Sequence, residues 1–362
     1  MFVFHISGNA GDLYKNIVEA ELNQVEQVKF LCYSLHKGKQ AQSRIPPENL
    51  ICYQLKSILR GPVLYLERLN KVADYICSIL SEKPNLVYSH MLFSDGYIAR
   101  KIKIKKDIPF VVAVRNTDMN LWFNWKLTWI RKAGYRTLEE AESVIFLSEQ
   151  YREGLLRKLP QELSDKVSKK AIVLPNGIDS FWHNHSGAHR KKLVTNNIRL
   201  ITVGRIEANK NQTIVKAAMD ILRTKGYSVS YTVIGDIKDQ KMARELSSDN
   251  QVRLVSYKSK EEQLAFYQES DIFVMPSIHE TFGLVYVEAM SQGLPVIYTK
   301  GQGFDGQFPE GTVGYHVDCM NAEEIADAIV KIVKNYPDIS ENCLKGAKKF
   351  DWEEIVRAYL YK

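Results

Sequence analysis

The feature that most constrains this chain is an alternation, run twice, of short β-rich segments with longer amphipathic stretches. In the first half the β-rich runs fall at 2–6 (FVFHI), 28–33 (VKFLCY), 86–89, 110–114, 144–147 and 171–174. Helical patterns lie between them at 12–24, 63–81, 95–103, 122–141 and 149–158. Strands joined through helices run parallel, and a parallel sheet is covered on both faces. The alternation stops after Pro175-Asn176-Gly177-Ile178-Asp179, and the polar residues 180–197 read as a linker. It restarts with strands predicted at 198–203, 229–234, 252–255, 272–275 and 295–298. The helices predicted with them are 211–225, 238–248, 260–269, 284–292 and 321–335. The expected architecture is α/β. Two Rossmann-like domains, 1–178 and 179–349, face a central cleft at the carboxyl ends of their strands, where such sheets bind ligands. The aromatic, helical segment 350–362 is a candidate to return to the first domain.

Composition narrows the classes. No stretch approaches the ~20 apolar residues of a membrane span. The opening MFVFHISGNAGD lacks a basic leader region and reads as a first strand. Five cysteines (Cys32, Cys52, Cys77, Cys319, Cys343) are odd in number and scattered, with no CxxC pair. They indicate neither a zinc site nor a disulfide framework, and a reducing cytosol fits best. The net charge of +7 is uneven: residues 1–180 hold 26 Lys/Arg against 19 Asp/Glu, and the remainder 23 of each. That asymmetry suits an anionic partner for the first half, a membrane surface or an acidic acceptor; ordinary surface scatter is the bland alternative.

The chemistry concentrates in 273–298, FVMPSIHETFGLVYVEAMSQGLPVIY. A strand ends at Pro276, a loop carries Glu280, and Thr281-Phe282-Gly283-Leu284 opens a helix carrying Glu288. The first N–H groups of a helix lack internal partners and sit at the positive end of its dipole, so this is a place for a diphosphate. Gly283 lets backbone approach a ligand. Flanking carboxylates bind phosphate poorly but accept hydrogen bonds from sugar hydroxyls. A second motif, Ile201–Asn211 (ITVGRIEANKN), ends a strand at Gly204 and places Arg205 and Lys210 in the following loop. Two cations there suit a pyrophosphate leaving group, although a solvated loop would read the same.

The pattern PS-x-x-E-T-F-G-L-x-x-x-E-A-M-x-x-G-x-P-V-I, with Glu280 and Glu288 as its E-x7-E, resembles the signature of the retaining family 4 glycosyltransferases of GT-B fold, among them bacterial surface-polysaccharide enzymes. Gly204, Arg205 and Lys210 resemble that family's G-R-x(4)-K element. The resemblance implies that Arg205 and Lys210 clamp the donor diphosphate and that Glu288 holds the ribose. It further implies that Glu280 holds hydroxyls of the transferred sugar and that the amides of Phe282, Gly283 and Leu284 touch phosphate and sugar. Pro175–Asp179 resembles the interdomain P-N-G-V/I-D, and Tyr231–Asp236 the strand before the nucleobase pocket. The family's glycine in 253–258 is replaced by Ser256 or Tyr257, so no base follows from it.

The first domain matches more loosely. Gly8 and Gly11 stand where the family has a glycine-rich loop near the acceptor, and a plain tight turn explains them equally. His90 to Gly96 resembles H-x-x-x-x-D-G, where His90 is more often structural than catalytic. The family's histidine after the 110–114 strand is replaced by Arg115 and Asn116; Arg115 or Asp118 are candidates to bind the acceptor. Residues 121–132 interleave three tryptophans with Lys126, Arg131 and Lys132, which suits a membrane interface, a lipid-linked acceptor groove, or simply a buried helix. The basic run 100–106 is a candidate to add attraction to anionic lipid. The expected function is transfer of a hexose, with retention, from a nucleoside-diphosphate sugar to a glycan or lipid-linked acceptor, in the cytoplasm or at the inner face of the membrane. No Asp-x-Asp metal motif stands at a strand end, so no metal or other cofactor is expected. The rivals are another GT-B sugar-nucleotide enzyme, an epimerase or phosphorylase, and a nucleic-acid-binding protein, for which no motif is present.

Overall fold

The computed structural model describes residues 1–35, 44–55, 64–115, 117–119, 123, 128–187 and 196–360. They form two compact units, Met1–Pro175 with Trp352–Lys362, and Asn176–Asp351. In the first, strands β1 (Phe2–Ser7), β2 (Gln27–Ser34), β3 (Leu50–Gln54), β4 (Leu86–Ser89), β5 (Phe110–Val114), β6 (Ser143–Phe146) and β7 (Ala171–Val173) make one sheet in the order β3-β2-β1-β4-β5-β6-β7. Every pairing in it is parallel. Helices α1 (Asp12–Leu22), α2 (Tyr65–Ile79), α3 (Tyr97–Lys106), α4 (Thr128–Glu140), α5 (Glu149–Leu156) and α6 (Gln161–Ser168) connect the strands. Because side chains alternate along a strand, β1 feeds two cores. Phe2, Phe4 and Ile6 face one, with α2, α3 and α4; Val3 faces the other, with α1 and the C-terminal helix.

The second unit opens on α7 (Ser180–Asn184). Its sheet comprises β8 (Asn197–Val203), β9 (Ser228–Ile234), β10 (Val252–Val255), β11 (Ile272–Val274), β12 (Val296–Thr299) and β13 (Gly314–Val317), ordered β10-β9-β8-β11-β12-β13. All are parallel. Its helices are α8 (Gln212–Thr224), α9 (Gln240–Ser247), α10 (Lys260–Glu269), α11 (Leu284–Ser291), α12 (Ala322–Lys334) and α13 (Tyr336–Ala347). Helix α14 (Trp352–Leu360) lies in the first unit, where Trp352, Ile355, Val356, Tyr359 and Leu360 join the α1 core.

Both sheets therefore carry the doubly wound order, reversing direction between β1 and β4 and between β8 and β11. Loops leaving such a strand pair diverge and open a crevice at the carboxyl edge.

Several elements differ from the sequence reading. β3 and β13 are edge strands; the side chains of β3 are partly or fully exposed, and β13 is short and interrupted by Gly314 and His316. α6 and α13 are polar on one side, and α13 carries Pro337 and Gly346, which hides its period. The presumed linker begins with a helix. Asp179 caps α7 by accepting from Phe181 N–H at 2.8 Å, and Trp182 is buried. The remainder of that stretch, 188–195, lies outside the described residues, as do Asn116, Trp122 and Trp125.

Candidate functional site

In the second unit the switch point brings together the loops after β8 and β11. Strand β8 ends at Val203, and Gly204 just beyond it donates to the Ile234 carbonyl at 2.8 Å. The end of β9 approaches so closely that a Cβ on Gly235 would stand 2.2 Å from the Gly204 oxygen. Beyond it, residues 208–210 make one 3-10 turn and Asn211 takes a left-handed conformation (φ 54°), directing the chain into α8. The asparagines beside Lys210 tie this loop to the next. Asn209 donates to the His279 carbonyl and accepts from His279 N–H, both at 3.0 Å. Asn211 donates to the carbonyls of Cys319 (2.6 Å) and Pro276 (3.4 Å).

That splice places the Lys210 ammonium 2.6 Å from the Glu280 carboxylate, with 17% and 14% of the two side chains exposed. Glu280 also accepts from Thr281 N–H at 3.1 Å. Arg205 is more open, 61% exposed, and pairs with Glu207 at 3.0 Å. The resemblance gives Glu280 to sugar hydroxyls and Lys210 to the diphosphate; here the two side chains pair with each other.

Gly283 caps α11 with φ +79°, and no side-chain cap covers the first amides of that helix. The glycine is required for a reason other than ligand approach: a Cβ would lie 2.4 Å from the ring of buried Tyr286, whose hydroxyl donates to the Met275 carbonyl. Phe282 is buried against Phe304 and Phe350, so its ring is not presented to a ligand. Leu284 begins the helix, and Glu288 lies four residues further along it. Burial pushes the Glu288 carboxyl up, helped by the charge of Asp179; Tyr267, Lys260 and Trp182 oppose, and the result is about 7. Asp179 and Lys260 themselves pair at 2.7 Å. Among the described residues no cluster of His, Cys, Asp or Glu could hold a metal ion.

In the first unit the corresponding edge is built differently from expectation. Gly8 and Gly11 have no left-handed φ, and a Cβ on either would meet nothing closer than 3.7 Å. The loop does not need glycine for space. Asp118, a candidate acceptor ligand, is fully buried and accepts from the backbone N–H of Arg115 (2.9 Å), Leu92 (3.1 Å) and Phe93 (3.3 Å). Its carboxyl closes the wide turn at 92–96 and is not presented to a ligand. Arg115 donates through Nε to the His90 carbonyl at 3.3 Å.

His90 is wholly buried in a chain that the sequence did not suggest. Tyr359 of α14 hydrogen-bonds to Glu21 of α1. Glu21 meets His5 Nε2 at 2.5 Å, and His5 Nδ1 meets His90 Nε2 at 3.0 Å. Burial holds the His90 imidazole well below its usual range, reinforced by His5 and Arg115, so it is neutral. With His5 donating from Nε2 to Glu21, its Nδ1 accepts, and His90 donates from Nε2.

Of the tryptophan-rich stretch, Trp129 packs against the first core and Phe123 is buried edge-on to Phe93. Phe123 is a core residue, and Trp129 is partly buried at the edge of that core.

Two family descriptions match adjacent parts of the chain: Glycosyltransferase Family 4 over residues 27–180, and Glycosyl transferases group 1 over 187–350. The chain belongs to the family 4 glycosyltransferases. It is an enzyme of the hexosyltransferase class, with the GT-B fold. An uncharacterized glycosyltransferase of Methanocaldococcus jannaschii is 26% identical over 85% of this chain and 83% of its own length. The capsular polysaccharide biosynthesis glycosyltransferase CapM of Staphylococcus aureus is 27% identical, covering 60% of this chain and 61% of CapM. A D-inositol 3-phosphate glycosyltransferase of Corynebacterium urealyticum is 31% identical over 33% of this chain and 28% of its own. The fold of Anabaena HepE, solved in complex with UDP, superposes with a TM-score of 0.73 at 16% identity, covering 99% of this glycosyltransferase and 98% of HepE. An Escherichia coli trehalose-6-phosphate structure bound with UDP-2-fluoro glucose superposes at 0.75 and 13% identity, over 100% and 98%. No described helix of this glycosyltransferase is long and apolar enough to cross a membrane.

Proposed function

We propose that this glycosyltransferase moves a hexose, with retention, from a nucleoside-diphosphate sugar to a hydroxyl of a glycan or lipid-linked acceptor. The observation that carries the reading is the Lys210–Glu280 pair at the second sheet's switch point, beside the uncapped start of α11. The donor diphosphate takes the amides at that helix start and the cations of Arg205 and Lys210. As the bond from the anomeric carbon to the diphosphate oxygen breaks, these charges stabilise the leaving group. The acceptor oxygen bonds to the same face of that carbon and passes its proton to a phosphate oxygen of the donor. Glu280 accepts from sugar hydroxyls and Glu288 from the ribose. No metal enters this scheme. The solved relatives' complexes with UDP and UDP-sugar support a uridine donor, and CapM supports a role in surface polysaccharide synthesis at the inner face of the membrane.

A fluorimetric melting panel of UDP, GDP and ADP with their glucose, galactose, mannose and N-acetylglucosamine derivatives tests the donor. A binder at a hundred times its Kd stabilises by about 2.7 kcal/mol. Release of nucleoside diphosphate only with acceptor present separates transfer from epimerisation. If Arg205→Ala and Glu280→Ala both keep near-normal transfer with a confirmed donor, the site is misassigned. Glu288 adds a pH signature. Its carboxyl must be ionised to accept two hydroxyls, so donor affinity rises as pH climbs through about 7. Glu288→Gln flattens that rise in a calorimetric titration; an unchanged profile in the variant would place the titration elsewhere.

A further inference from the structure

The loop after β12 returns to the Glu280 segment and grips its backbone. Gln302 accepts, at its side-chain oxygen, from the backbone N–H of Glu280 at 2.9 Å. The next residue, Gly303, donates its N–H to the Glu280 carbonyl at 3.0 Å. The approach is so close that a Cβ on Gly303 would stand 1.7 Å from the Thr281 oxygen. Thr299 donates to the Ser277 carbonyl at 2.7 Å, and Phe304 packs on Phe282 and Tyr286. The grip is itself braced: Asp305 accepts from Gly301 N–H at 2.7 Å and from His316 Nδ1 of β13 at 2.9 Å. Both backbone polar groups of Glu280 are thus taken by one turn, while its carboxylate is set by Lys210 and Thr281.

We infer that Gln302 is a positioning residue for the donor site, fixing the peptide of Glu280 so that its carboxylate is aimed before the sugar arrives. This rests on the donor reading given above. Backbone N–H groups in loops are ordinarily met by other backbone or by water. Here a long, flexible side chain supplies the acceptor, and its ordering is complete before a ligand binds. A group held in this way loses little freedom on binding.

The test uses the full chain and two variants of equal side-chain length. Gln302→Met removes the acceptor; Gln302→Glu keeps an acceptor oxygen. Without any ligand, the Glu280 amide proton exchanges with solvent faster in Gln302→Met than in wild type, and Gln302→Glu restores protection. Calorimetry then uses the nucleoside diphosphate and sugar derivative selected by the panel. Gln302→Met weakens the sugar nucleotide by about fivefold while the bare diphosphate binds as before, in line with one lost hydrogen bond. Gln302→Glu binds both as wild type does. Unchanged exchange in Gln302→Met overturns the proposal, as does equal weakening of diphosphate and sugar nucleotide. If exchange responds but Glu280→Ala leaves sugar-nucleotide binding intact, the donor reading fails and the Gln302 contact stands as structural only. If no panel member binds, the assignment of Gln302 to a donor site falls with it.

Discussion

Lys210→Ala is expected to lower turnover by about two to three orders of magnitude, the loss typical of removing one preorganised charge from a leaving group. The structure adds a second consequence. Lys210 and Glu280 are each less than a fifth exposed and lie 2.6 Å apart, so deleting the lysine leaves a largely buried carboxylate without its ammonium. Removing one member of a fully buried pair costs about 3–5 kcal/mol, and this pair, not fully buried, falls at or below the low end. The double variant Lys210→Met/Glu280→Gln therefore recovers most of the stability lost by Lys210→Ala but none of the turnover. A double-mutant cycle on urea midpoints and kcat reads both. Recovery of activity in the double variant would show that the lysine acts only by neutralising Glu280.

The second large effect is in the first unit. Asp118→Ala leaves the N–H groups of Leu92, Phe93 and Arg115 without their acceptor in a buried turn, at a cost of about 3 kcal/mol or more. Binding of a nucleoside diphosphate by the second unit stays unchanged wherever the variant is folded. A variant of wild-type stability that weakened only the acceptor's KM would restore Asp118 as an acceptor ligand. The same region sets a pH dependence. Burial pushes the carboxyls of Asp118 and Asp95 up, to about 6 and about 7. Between the unfolded value near 4 and those values the folded chain binds more protons than the unfolded one, so stability is fullest below about pH 4 from these groups and declines towards pH 7. Asp118→Asn shows a shallower decline in denaturant midpoints over that window; an identical slope would assign it to other groups.

What the sequence disclosed and what it concealed divide along physical lines. Strands buried on both faces, such as β5 with Phe110 to Val114, carry continuous apolar runs and were plain. Edge strands β3 and β13 carry partly exposed residues, so their pairing is visible only in the sheet. The proximity of Lys210 and Glu280 was legible because both belong to spaced motifs of one chemistry. Asn209, Asn211 and Gln302 were not, since they act on backbone groups, and an amide side chain that holds a peptide looks like any other polar loop residue. Asp118 misled for the same reason: a carboxylate serving three backbone amides has the same letter as one awaiting a substrate. His5, Glu21 and Tyr359 lie 16 and 338 residues apart in sequence, and only the packing of α14 on α1 joins them.

The placement of α14 bears on how the chain is made. Asn176–Asp351 is one continuous stretch, so its sheet and covering helices can assemble as they leave the ribosome. The first unit is encoded earlier but is completed later. Until Trp352 to Leu360 emerge, Glu21 lacks Tyr359, and Tyr88 lacks the ring that covers it. The half of the molecule translated first is thus the half that waits, holding an apolar seam open through the synthesis of more than a hundred further residues.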